Sequence, residues 1–63
     1  MSNGKVKFFN NAKGFGFITP DSGEKDVFVH TNNLIDRINE GDEVSYDVEE
    51  SPKGMNAINV RLV

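Results

Sequence analysis

Lys13-Gly14-Phe15-Gly16-Phe17-Ile18 sets two aromatic rings two residues apart, with a glycine between them and a lysine just ahead. Side chains alternate faces along a strand, so Phe15 and Phe17 share one face and Ile18 takes the other. Ile18 suits a core. The rings then stand beside Gly14 and Gly16, which leave room for a flat group to approach. The competing reading is a strand buried on both faces, with both phenylalanines as ordinary core.

The rest of the chain favours the first reading. Asp26-Val27-Phe28-Val29-His30 puts Val27 and Val29 on one face and Phe28 and His30 on the other. Two successive strands with β-branched residues on one side and rings on the other imply a sheet with a core side and an aromatic side. A second sheet to cover the rings would need more chain than 63 residues provide.

Working outward, Lys5-Val6-Lys7-Phe8-Phe9 begins as an alternating strand with Val6 facing the core. Asn10-Asn11-Ala12-Lys13-Gly14 is a turn, as is Pro20-Asp21-Ser22-Gly23-Glu24-Lys25. A fourth strand, Glu43 to Glu50, alternates Val44, Tyr46 and Val48 with polar residues. Ser51-Pro52-Lys53-Gly54 turns into a fifth, Met55 to Leu62, with Ile58, Val60 and Leu62 inward. Thr31 to Gly41 is a connection with helical character over residues 33–38, where Leu34 and Ile38 cover one end of the core. Five short strands close best into a small antiparallel barrel, which buries the apolar face and reduces exposed edges. The expected core is Val6, Ile18, Val27, Val29, Val44, Tyr46, Val48, Ile58, Val60 and Leu62.

Composition narrows the function. Residues 1–63 make one domain, near the lower size limit for a core without staples. With no cysteine there is no disulfide or thiolate metal site. No apolar run is long enough for a membrane span, and Met1-Ser2-Asn3-Gly4-Lys5 has no signal-peptide character. A cytoplasmic monomer is expected. Net charge is −3, unevenly spread: residues 1–20 hold Lys5, Lys7 and Lys13 and no acid, while residues 21–63 hold four basic and ten acidic residues. A locally basic surface on an acidic protein still meets a polyanion, through few phosphates.

Phe8, Phe15, Phe17, Phe28 and His30 therefore fall on three neighbouring strands with Lys7 and Lys13 beside them. Rings for base stacking and lysines for phosphate are what single-stranded nucleic acid requires. Residues 13–18 also fit most of the RNP1 pattern of RNA-binding modules, with Pro20 where the last aromatic would stand. No helix or ribbon carries the Arg, Asn or Gln set that duplex readout needs. An enzyme is disfavoured: His30 is the sole histidine, no cysteine can pair with it, and Ser22, Ser45 and Ser51 lie in no motif. The other contender is a small SH3-like barrel with an aromatic groove for peptides.

From Gly4 to Val60 the chain resembles the bacterial cold-shock proteins. The matching stretches are residues 4–10 (Gly-Lys-Val-Lys-Phe-Phe-Asn), 13–18, 26–30 and 57–60 (Ala-Ile-Asn-Val). The resemblance implies an all-β, five-stranded OB-type barrel forming a single cold-shock domain. It implies binding of single-stranded RNA and DNA as an RNA chaperone, with no cofactor. Carried over by position, the stacking residues are Phe8, Phe15, Phe17, Phe28 and His30. The polar contacts are Lys7, Lys13, Asp26 and Lys53. This chain departs from the family pattern in having Phe8 where tryptophan is usual and Thr31 where an aromatic usually follows the histidine. Its loop before the fourth strand is shorter and lacks an aromatic. Arg37 is the flat side chain in that loop that could take the vacant place by stacking its guanidinium plane.

Overall fold

In the computed structural model, residues 2–52 and 54–63 are described. Five strands form a closed barrel: β1 (Ser2–Asn10), β2 (Phe15–Pro20), β3 (Val27–His30), β4 (Glu43–Ser51) and β5 (Gly54–Leu62). Their order around the barrel is β1-β2-β3-β5-β4, with β4 returning to pair with β1. All pairings are antiparallel except β3 with β5, where Phe28 and Val29 lie opposite Asn56 and Ala57. Closure leaves the inner face dry. Val6, Ile18, Val27, Val29, Ile38, Val44, Tyr46, Ala57 and Val60 are buried, and Phe9 and Leu34 pack against them.

Two irregularities decide which residues face inward. In β1, Val6 pairs with Ile18 but Phe8 pairs with Phe17, so Lys7 is an extra residue opposite no partner. The extra residue bends the strand and changes its parity. Val6 and Phe9 point in, while Lys7 and Phe8 both stay on the outer face. Strict alternation from Val6 would have buried Phe8. Gly16 makes the bend possible: a Cβ there would lie 2.3 Å from the Phe8 carbonyl oxygen.

The second irregularity corrects one expected core position, Ile58, and strand ends correct two more, Leu62 and Val48. Across β4 and β5, Ser45 pairs with Arg61 but Asp47 pairs with Ile58, so β5 carries an extra residue. Asn59 sits there with φ 52°, a left-handed conformation that asparagine tolerates. The inward residues become Ala57 and Val60, three apart. Ile58 is therefore only half-buried, whereas Leu62 keeps the parity of Val60, opposite buried Val44, and is 46% exposed because it is the last residue of β5. Val48 keeps its parity, opposite Ala57, but lies past Tyr46, the last residue of β4 in the described pairing with β1. It is left exposed.

The connection after β3 also differs from expectation. Only Thr31–Asn33 winds, as a 3-10 turn, and residues 34–38 are not helical. Leu34 instead bridges to Val60, the Ile35 N–H donates to the Val60 carbonyl at 2.7 Å, and the Asp36 carboxylate accepts from the Leu62 N–H. Pairing with β5 satisfies backbone groups that so short a helix would leave open. Leu34 and Ile38 still cover the end of the core, Ile38 completely.

Candidate nucleic-acid interface

The rings expected from the sequence meet on the outer face of β1, β2 and β3. Phe17 pairs across strands with Phe28, Phe15 with His30, and Phe8 with Phe17. Ring centroids are 5.6 Å apart for Phe8 and Phe17, 5.7 Å for Phe17 and Phe28, 5.8 Å for Phe15 and Phe28, and 6.3 Å for Phe8 and Phe15. Phe15 and Phe28 lie nearly parallel at 23°, whereas Phe17 stands at 74° to Phe28. These stacked and edge-to-face pairings fix the rings without covering them. All four phenylalanines remain half-buried, with outer surfaces open to a flat ligand.

Small residues and turns hold this face in place. The Asn10 side-chain oxygen accepts from the N–H groups of Ala12 and Lys13, and the Asn10 carbonyl accepts from the Gly14 N–H at 2.7 Å. Gly14 takes φ 76°, which a side chain would resist. The turn presents Lys13 to solvent at the edge of β2. At the far end of β3, His30 Nδ1 accepts from the Asn32 N–H at 3.2 Å. That bond fixes the ring's orientation and leaves Nε2 as its other polar atom.

Lys7 lies on the outer face at the bulge, and its ammonium donates to Asp26 at 3.0 Å. Thr19 donates to the other Asp26 oxygen, also at 3.0 Å. The Lys7 hydrogen bond, followed by that of Thr19, holds the Asp26 carboxyl below its ordinary pKa. Asp26 is thus a charged acceptor with lone pairs left for a base N–H, anchored beside Phe17 and Phe28.

One expected site residue stands apart from this cluster. Arg37 is exposed and lines a separate groove of about 570 Å³ with Phe9, Thr31 and Leu34. Lys53 lies outside the described residues. Val48 and Met55 escaped the sequence reading. They are exposed apolar residues lining a groove that begins at Phe17 and Phe28. Only the position of Val48 beyond the last β1–β4 pair distinguishes it from core, and no local pattern reports that.

Comparison with known proteins bears on the same surface. The 'Cold-shock' DNA-binding domain model matches residues 2–63. The cold shock-like protein CspJ of Salmonella typhimurium is 54% identical over 61 residues, covering 90% of this chain and 87% of that protein. The cold shock-like protein CspA of Stigmatella aurantiaca is 46% identical, covering 100% of this chain and 98% of its own length. Among solved structures, drosophila Unr CSD456 shares the fold with a TM-score of 0.82 over 98% of this chain and 26% of that one, at 23% identity.

Proposed function

The chain belongs to the cold-shock domain family, which binds nucleic acids, and on that premise we propose that it binds single-stranded RNA and DNA by stacking bases on Phe8, Phe15, Phe17, Phe28 and His30. The observation that carries this reading is the continuous row of rings on the outer face, fixed by one another and left uncovered. Each stacked base contributes about 1–3 kcal/mol, with little regard to its identity. Lys7 and Lys13 at the margins meet phosphates, Asp26 accepts from a base, and Lys53 and Arg37 extend the contact. A strand of about six bases fits a barrel of this size. Stacking makes no use of the 2′-hydroxyl, so RNA and DNA bind alike.

A protein that holds single strands but not duplexes shifts any pairing equilibrium toward the open form by mass action. That is how a small monomeric barrel in the cytoplasm would act as an RNA chaperone, without metal, nucleotide or catalytic group. Titration of a labelled oligothymidine of about six bases, beside the same sequence in a duplex and a proline-rich peptide, tests the reading. Binding of the single strand alone is expected. Equal affinity for the duplex, or preference for the peptide, would overturn it.

A further inference from the structure

We propose that the groove where the aromatic face runs past the end of the barrel takes one further nucleobase of the same bound strand, and that it selects a base with an exocyclic amino group, guanine above all. The inference rests on the reading of the ring face as a single-strand platform and adds a base-selective site to it. The groove encloses about 900 Å³, room for a base and its sugar. Phe17 and Phe28 form one side, so a strand leaving those rings enters it directly. Val48, 37% exposed, and Met55, 48% exposed, supply an apolar wall for the base to lie against.

The polar groups lining the groove suit a base better than a phosphate. Asp21, Glu24 and Asp26 outnumber Lys25 among the described lining residues. Asp26 is already engaged by Lys7 and Thr19. The side chains of Asp21 and Glu24 make no hydrogen bond or ion pair among the described residues. Carboxylates repel a phosphate but accept N–H groups. Guanine offers N1–H and N2–H₂ side by side, a match for one carboxylate. Thymine and uracil offer a single N–H.

Tyr46 supplies the second, independent observation. Its side chain is fully buried, and its hydroxyl has no hydrogen-bond partner among the described residues. Native proteins seldom leave such a group unpaired. Tyr46 lines the groove, and its hydroxyl feels the charges of Asp21 and Glu24 on the groove's wall. Burial first, then those two charges, hold its pKa above the ordinary tyrosine value, so it stays a donor. A base carbonyl or ring nitrogen settling against Val48 and Met55 would provide the missing acceptor after a small opening of the groove floor.

The test compares an oligothymidine of about six bases, extended by one dG or one dT at either end. At one end the dG extension should bind at least about fivefold tighter than the dT extension, the lower limit for a bidentate base contact. That ratio should collapse in Asp21→Ala/Glu24→Ala, whose general loss of negative charge cancels between the two probes. It should also fall in Tyr46→Phe, which removes an unpaired hydroxyl and should not lower the unfolding midpoint. A ratio near one at both ends, with the unextended strand still bound, overturns the groove and leaves the ring face standing. A ratio that persists in both variants also overturns it. Failure of the unextended strand to bind sinks the platform reading and the groove with it.

Discussion

Lys7 and Asp26 show how a single pair sets local chemistry on an exposed surface. The carboxyl titrates below its ordinary range because Lys7 donates to it at 3.0 Å and Thr19 supports it. A depressed folded-state pKa stabilises the fold above the unfolded carboxyl's pKa, and the contribution is lost as pH falls through the folded value. Both groups are open to water, so the effect on stability is small. It is direct to measure by NMR: the Asp26 midpoint should move upward in Lys7→Ala, and an unmoved midpoint would mean that Lys7 does not hold it. Gly16 is the other residue that admits one outcome. A Cβ there would meet the Phe8 carbonyl oxygen at 2.3 Å, Phe9 Cδ1 at 2.7 Å and Phe9 Cα at 2.8 Å. Gly16→Ala should cost at least about 1–3 kcal/mol in chemical denaturation, as overpacking does. Most of the candidate face was legible at this scale, because the two spaced pairs, Phe15/Phe17 and Phe28/His30, announce a second face. The Lys7–Asp26 tie was not, since nothing in the spacing brings residues 19 apart together.

The strands themselves read well in sequence, but their irregularities did not. Alternation placed Val44, Tyr46 and Val60 inward correctly, then failed at Ile58, where the bulge at Asn59 shifts the parity of β5, and at Leu62, which keeps the parity of Val60 but is the last residue of the strand. A bulge depends on the partner strand's register, which no single-strand pattern contains. Asn59 is the local trace of it: asparagine at φ 52° is tolerated where a β-branched residue is not. Asn59→Val should destabilise the barrel by about 1–2 kcal/mol, and Asn59→Gly by far less, when urea midpoints are compared. Equal midpoints for the two variants would show that the left-handed conformation carries no strain. The segment after β3 taught the opposite lesson. Leu34 and Ile38 looked helical by their spacing, yet backbone pairing with Val60 and the Asp36 carboxylate's bond from the Leu62 N–H outcompete a helix of barely one turn.

At the scale of the whole molecule, the barrel separates a dry inner face from an outer face that carries rings and few positive charges. The protein is acidic overall, and only Lys7, Lys13, Lys53 and Arg37 are candidates to meet phosphates. Single-strand affinity falls with a slope of about −0.7 in log salt per phosphate neutralised, so a shallow slope of about −1 to −3 is expected. A steep slope with binding abolished at moderate salt would assign the affinity to charge. The fold class was legible because turn signals separate five short alternating runs. The groove that continues past Phe17 and Phe28 was not, because it forms where β4 and β5 run on past the last described pair of β1 with β4.

The most direct test of the central claim pairs binding with stability in three variants. Affinity for an oligothymidine of about six bases should fall by about 1–3 kcal/mol in Phe17→Ala and in Phe28→Ala. Both variants should still fold, losing only about 0.5–1.5 kcal/mol from each ring pair removed. Val29→Ala should do the reverse, costing about 2 kcal/mol of stability through a core cavity while the folded fraction binds normally. If Phe17→Ala and Phe28→Ala bind as tightly as the unaltered chain, or unfold while Val29→Ala does not, the ring face does not carry the binding.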